Sequence, residues 1–294
     1  MPTLLPEFLR APPDFRLWRF VDNNNLEKVK KYIANGVDAD FYMQPQGITP
    51  LINATINGNI DIVRILITPK AEGGGGVDIN RGSIYGTLTY GEGGYTALMC
   101  ACDKGQSEIA RLLVEKGADV NATTKDKKDT ALIYASFRHN FEIVKLLIEN
   151  GADINFKRSY DGLSALLASS KSIDIVRYLV ENGADVNSTM TTTGNTALMY
   201  ACEKNIIDVV RFLCKNKADP NIVDLNGKRA IDLTTNSEIK NILMEGCPPI
   251  ENPWIPGAEV PATSGSQGGR RRNYKTRYRR KHVKRSKRKT RTRR

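Results

Sequence analysis

Apolar residues return along the chain with a helical period, in short runs bounded by polar ones. Residues 108–115 read Glu-Ile-Ala-Arg-Leu-Leu-Val-Glu, which gathers the apolar side chains on one face of a helix, and 142–149, 174–181 and 208–215 echo the pattern. Each run starts on an acidic residue and carries a basic or polar far face, as suits a helix aligned with its own dipole.

A second element precedes each run. It opens on Thr49-Pro50-Leu51, Thr96-Ala97-Leu98, Thr130-Ala131-Leu132, Ser164-Ala165-Leu166 and Thr196-Ala197-Leu198. The Ser or Thr oxygen can accept from a free N–H of the first turn, and Pro or Ala suits the first helical position. These helices (A) are expected to end at Gly58, Gly105, His139 and Asn205, since Gly, Asn and His tolerate positive φ. The second helices (B) end at Gly117, Gly151 and Gly183 for the same reason.

That last glycine begins a phrase, Gly-Ala-Asp-Val-Asn, which stands at 117–121, as Gly-Ala-Asp-Ile-Asn at 151–155, at 183–187, and as Lys217-Ala218-Asp219-Pro220-Asn221, in steps of 34, 32 and 34 residues. Weaker copies lie at 36–40 and 76–80. A helix–turn–helix with a projecting hairpin every 33 residues or so resembles the ankyrin repeat, whose Thr-Pro-Leu-His and Gly-Ala-Asp-Val-Asn signatures these phrases match. The resemblance implies an all-α repeat fold: a solenoid of about seven helix–turn–helix units with short β-hairpin loops. It departs at the motif histidine, replaced by Ile52, Met99, Ile133, Leu167 and Met199, and the motif proline stands only at Pro50. Loss of that hydrogen bond is expected to cost about 1 kcal/mol per repeat. The first unit, from 17 to 40, and the last, from 228 to 245, are irregular, as end caps with one wet face should be. Insertions at 69–76 and 81–94 break the period and hold nine of the 24 glycines. They read either as flexible surface loops or as a binding loop carrying Tyr85, Tyr90 and Tyr95.

Charge divides the chain. Of 44 basic residues, 16 lie between 270 and 294, where no acidic residue stands, leaving a body of 28 basic and 32 acidic residues. The expected organisation is an N-terminal extension (1–14), an ankyrin-repeat domain (15–246), a Pro/Gly/Ser-rich linker (247–269) and a disordered basic tail (270–294). The five cysteines are sparse and odd in number, unlike a disulfide framework, which points to a reducing compartment. Prolines break the N-terminal stretch before it can form a signal peptide, and no run approaches 18 apolar residues, so an intracellular protein of the nucleus or cytoplasm, off the membrane, is expected.

No catalytic constellation emerges, and no cofactor or metal is expected. Gly91-Glu92-Gly93-Gly94 lacks the Lys-Ser/Thr of a phosphate-binding loop, and Cys100-x-Cys102 offers too few ligands for zinc. Cys102 and Cys202 take equivalent small-residue positions three repeats apart, about 30 Å, out of reach of each other. His139 ends a helix and His282 sits in the tail, so neither has a partner for nucleophilic or metal chemistry. The recurring Asp119, Asp153, Asp185 and Asp219 suit turns, where a carboxylate accepts backbone N–H groups.

Function must then come from surface. The resemblance implies a protein partner on the concave face, at hairpin tips Lys125, Lys127, Lys128, Arg158, Tyr160, Thr192 and Asn195 and on helix A at Asp103, Lys104, Phe137, Arg138, Glu203 and Lys204. Phe137 beside an arginine would be the anchor. In the tail, Arg270, Arg271, Arg272, Lys275, Arg277, Arg279, Arg280, Lys281, Lys284, Arg285, Lys287, Arg288, Lys289, Arg291, Arg293 and Arg294 supply the positive field. Residues 284–289 are similar to nuclear-import signals, and Tyr274 and Tyr278 can stack on bases, so import receptor, nucleic acid and plain solubilisation stay open as its role. The expected function is a monomeric interaction scaffold with a targeting or tethering tail. The alternative is a nucleic-acid-binding protein whose repeats act as a spacer. Divergent repeats with a basic terminus also look like the ankyrin proteins of large DNA viruses.

Overall fold

Five hydroxyls open helices in the computed structural model, which describes residues 12–43, 47–84, 93–245 and 247. Thr49, Thr96, Thr130, Ser164 and Thr196 each accept the backbone N–H three residues on, at 3.2–3.4 Å. Such a cap is worth about 1 kcal/mol.

Among the described residues the helices form seven units: α1 (Pro13–Asp22) with α2 (Leu26–Ala34), α3 (Pro50–Ile56) with α4 (Ile60–Ile67), α5 (Ala97–Lys104) with α6 (Ser107–Glu115), α7 (Ala131–Phe137) with α8 (Phe141–Glu149), α9 (Ala165–Ala168) with α10 (Ile173–Glu181), α11 (Ala197–Glu203) with α12 (Ile207–Lys215), and a 3-10 helix (Ala230–Leu233) with α13 (Ser237–Glu245). The irregular last unit is thus a cap in which a 3-10 turn replaces helix A. At the other end α1 begins at Pro13, inside the stretch read as an extension, because proline suits the first helical position.

The turns follow the sequence register. Gly58, Gly105, His139 and Asn205 have φ of +55° to +70° after helix A, and Gly117, Gly151 and Gly183 have φ of +86° to +96° after helix B. Lys217, which stands where a glycine should, adopts the same hand at φ +68°. One apolar cluster runs without a break from Leu17 to Cys247. Leu98, Leu132, Leu166 and Leu198 fill equivalent places in it, each 1% exposed and contributing about 1.5–3 kcal/mol.

Two polar ladders join the units. In the first, three phrase-ending asparagines span to the next unit. Asn121 donates Nδ2 to the Gly151 carbonyl (3.0 Å) and accepts the Asp153 N–H (2.8 Å), Asn155 does so with Gly183 and Asp185, and Asn187 with Lys217 and Asp219. The aspartates accept the N–H of the asparagine two residues on, as expected of turn residues. In the second, adjacent hairpins bond sideways: Lys125 N–H to Gly93, Ser159 N–H to Lys127, Thr191 N–H to Asp161 and Leu225 N–H to Thr193. Gly162 and Gly194 allow this approach, since a Cβ would come within 2.8 Å of the Thr191 nitrogen and 2.9 Å of the Leu225 nitrogen. The hairpins are short: single bridges join Met43 with Ile48, Thr123 with Thr130, Thr189 with Thr196 and Val223 with Arg229, and the described residues contain no strand.

The first insertion is not a free loop. It forms a 3-10 turn (Lys70–Glu72) and folds back on the end of α4, with Gly75, Gly76 and Val77 donating N–H groups to Ile65, Thr68 and Leu66. Most of the second lies outside the described residues, Tyr85 and Tyr90 included. Tyr95, read as a member of a binding loop, is fully buried, its ring edge-on to Tyr134 with centroids 5.5 Å apart.

The cysteines also depart from expectation. Cys214 on α12 and Cys247 beyond α13 form a disulfide, with Cα atoms 4.5 Å apart. They are 33 residues apart, one repeat length, so stacking brings equivalent places of neighbouring units together. An odd total says nothing about such a pair. Cys100, Cys102 and Cys202 are free and buried.

Candidate functional site

The ends of helix A and the hairpins beside them make one face, and it sorts the predicted residues into two groups. The first is held internally. Asp103, 5% exposed, accepts from Arg138 Nε at 2.9 Å, a contact that ties α7 to α5. Arg158 is held by three bonds, Nε and Nη2 to the Asp161 carboxylate at 2.6 Å each and Nη1 to Asp129 at 3.1 Å. Its side chain is 22% exposed, and the hydrogen bond from Arg158 holds the Asp161 carboxyl below the usual carboxylate range. Arg158 therefore braces the hairpin between the fourth and fifth units instead of standing free at its tip. Asn195 is half-buried, its N–H accepted by the Thr193 hydroxyl and its carbonyl bonded to the Met190 N–H.

The second group is exposed. Lys125, Lys127 and Lys128 stand on the hairpin before α7, Lys128 at φ +62°. Tyr160 is 68% and Phe137 61% exposed, among the most exposed large apolar side chains described. Lys104, Thr192, Glu203 and Lys204 are also exposed, the last two joined in a surface ion pair of 2.8 Å that adds little stability.

Phe137 forms a wall between two depressions. One, of about 210 Å³, is lined by Asp103, Asp129, Tyr134, Arg138 and Leu163 among others. The other, of about 440 Å³, reaches from Phe137 and His139 across Leu163, Leu167, Ala168 and Lys171 to Met190, Tyr200 and Lys204. Apart from Phe137, Arg158 and Lys204, its lining was not among the expected site residues. Its origin is the fifth unit. Helix α9 is four residues long where its neighbours α7 and α11 have seven. The stretch from the capping residue to helix B is two residues shorter than in the neighbouring units, which is why the step from Gly151 to Gly183 is 32 residues. Among the described residues no positive φ marks its A-to-B turn, and Ser172 N–H closes on the Ser169 carbonyl at 2.8 Å instead. Ala168 also stands where the neighbours carry Tyr134 and Tyr200. A missing half-turn and a missing ring together open the notch. The irregular step was the signal for it in the sequence.

Burial pushes the Cys100 and Cys202 thiols up to about 12 and Cys102 in the same direction, leaving them protonated at neutral pH. His139 is lowered by burial and then by Lys171. Among the described residues no three His, Cys, Asp or Glu side chains cluster as a metal site, and no helix is long and apolar enough to cross a membrane. The 16 basic tail residues lie outside the described residues.

Comparison with known proteins agrees with this architecture. The family description "Ankyrin repeats (3 copies)" matches at residues 17–124, 90–158 and 132–224. Protein phosphatase 1 regulatory subunit 27 from human is 30% identical over 118 residues, 40% of this chain and 68% of that protein, and its mouse counterpart 31% identical over 119 residues, with the same shares. The ankyrin repeat domain of Bcl-3, a member of the IkappaB protein family, superimposes with a TM-score of 0.65 at 27% identity, over 80% of this chain and 98% of the Bcl-3 domain. The seven stacked units, their capped helices and the asparagine ladder fit these matches, and the chain belongs to the ankyrin-repeat family as a protein-interaction scaffold.

Proposed function

We propose that the chain captures a protein partner on the face made by the hairpins and helix-A ends, while its basic tail directs it to the nucleus or tethers it to nucleic acid. The observation that carries this reading is the exposure of Phe137 and Tyr160 on a rigid, ladder-braced face. Large aromatic side chains left open on such a surface are the usual anchors of an interface. The role is binding, and the partner is met by surface chemistry alone. Support also comes from the relatives, one named as a regulatory subunit of a protein phosphatase and one as a member of the IkappaB protein family.

The test is affinity purification of the full chain, of Phe137→Ala/Tyr160→Ala, and of a chain ending at residue 269, each with and without nuclease. The double substitution should abolish partner capture with the melting temperature unchanged, and removal of 270–294 should remove only material that nuclease also releases. The alternative, a nucleic-acid-binding protein with spacer repeats, has the basic tail in its favour. It predicts that all captured material depends on the tail and none on Phe137. The acidic balance of the body, 28 basic against 32 acidic residues, favours the first reading, because repeats that bind nucleic acid should carry the positive charge themselves.

A further inference from the structure

The notch in the fifth unit has a definite chemistry. Its floor is apolar, made by Leu163, Leu167, Ala168 and Met190, with Phe137 and Tyr200 as end walls. Tyr200 is fixed there by its hydroxyl, 2.8 Å from the Met190 sulfur. The polar groups on its rim are unequal. Arg158 is held between two carboxylates, Asp129 and Asp161, and Lys204 is paired with Glu203. Burial, and then Lys171, shift the His139 imidazole towards its neutral form. Lys171 is exposed and has no acidic partner among the described residues. Lys171 is therefore the rim cation without a described counter-ion, and it stands beside an apolar slot.

Resting on the reading of this face as a partner site, we propose that the notch is a specificity pocket for an acidic segment of a partner protein, which inserts one large apolar side chain above Ala168 and sets a carboxylate against Lys171. The volume, about 440 Å³, lies at the small end of the range of clefts that take a small ligand, room enough for one large side chain. Charge complementarity selects the occupant. Lys171 favours a segment that brings a carboxylate over one that brings only lysine and arginine. The selectivity comes from deletion: where neighbouring units carry a tyrosine and a full last turn of helix A, this one offers space.

A random twelve-residue peptide library displayed on phage, panned against the full chain, tests this directly. The enriched peptides should share a Phe, Trp or Leu next to Asp or Glu. Synthesised and titrated, they should lose about tenfold or more in affinity on Ala168→Tyr, which refills the notch with the side chain its neighbours already accommodate. Lys171→Glu should weaken them by a similar factor, and panning against that variant should enrich basic peptides instead. Ala168→Tyr is expected to fold, checked by circular dichroism and melting temperature. Lys171→Glu, an exposed substitution, provides the independent readout if it does not. Peptides that bind both variants unchanged but are lost on Phe137→Ala/Tyr160→Ala would overturn the notch while keeping the wider face. Peptides insensitive to all of these substitutions, or a failure to enrich any, would overturn both.

Discussion

Set side by side, the fourth and fifth units share their caps and their core and differ where helix A ends. Thr130 and Ser164 cap alike, and Leu132 and Leu166 are buried alike. The fourth unit then runs on through Phe137 and Arg138 to a left-handed His139, while the fifth stops at Ala168 and turns back through three serines and Lys171. The comparison teaches that a repeat can gain a site by subtraction. The inner half of helix A is fixed by packing, so only its outer half can be cut away without cost to the stack.

The sharpest way to break that comparison is in the core. Leu132→Ala and Leu166→Ala should each destabilise the protein by about 2–5 kcal/mol in urea unfolding, because each empties a site that is 1% exposed. A value near 1 kcal/mol for Leu166 alone would mean that the fifth unit is loosened throughout and the notch is only a symptom. The next effect concerns the brace between the two units. Asp161→Asn removes the charge that holds Arg158 in two bonds of 2.6 Å and should cost about 1–3 kcal/mol at pH 7. The Asp161 carboxyl is held below its ordinary value in the folded protein, so its contribution is present above about pH 4 and lost as pH falls through the lowered folded value. The gap between wild type and variant should therefore close on acidification, and a gap that stays constant down to pH 2 would assign it to packing. The smallest effect tests whether the far side of the units is as uniform as it looks. Asn121→Ala and Asn155→Ala each delete a two-bond link to the next unit, and each should cost roughly 1 kcal/mol. A clear inequality would show that the short unit is joined differently on both sides.

Much of the fold is legible because it is local and repeated. A Thr or Ser before Ala-Leu announces a cap, and the left-handed turn at His139 and Asn205 was readable because register pointed to residues that tolerate it. Lys217 shows that register outweighs residue type, since a lysine takes the glycine conformation when both helices around it are fixed. The candidate site was legible only as a face. Whether Arg158 points to solvent or to Asp129 depends on where the preceding hairpin lies, and Asp103 is buried by an arginine 35 residues later in the chain. Contacts across units leave no mark in either segment alone. The 32-residue step was visible, but not which end of the helix it removed. The disulfide was missed because cysteines were counted instead of being placed on the repeat.

That covalent link has a mechanical meaning. Cys247 is the root from which the basic arm departs, and it is bonded to Cys214 in the sixth unit. A pull on the chain beyond Cys247 would pass from sulfur to sulfur into α12 and bypass the seventh unit, with its 3-10 turn and single helix. Under reduction the same tug falls on that terminal unit, so the anchorage of the arm to the stack becomes only as strong as its weakest member.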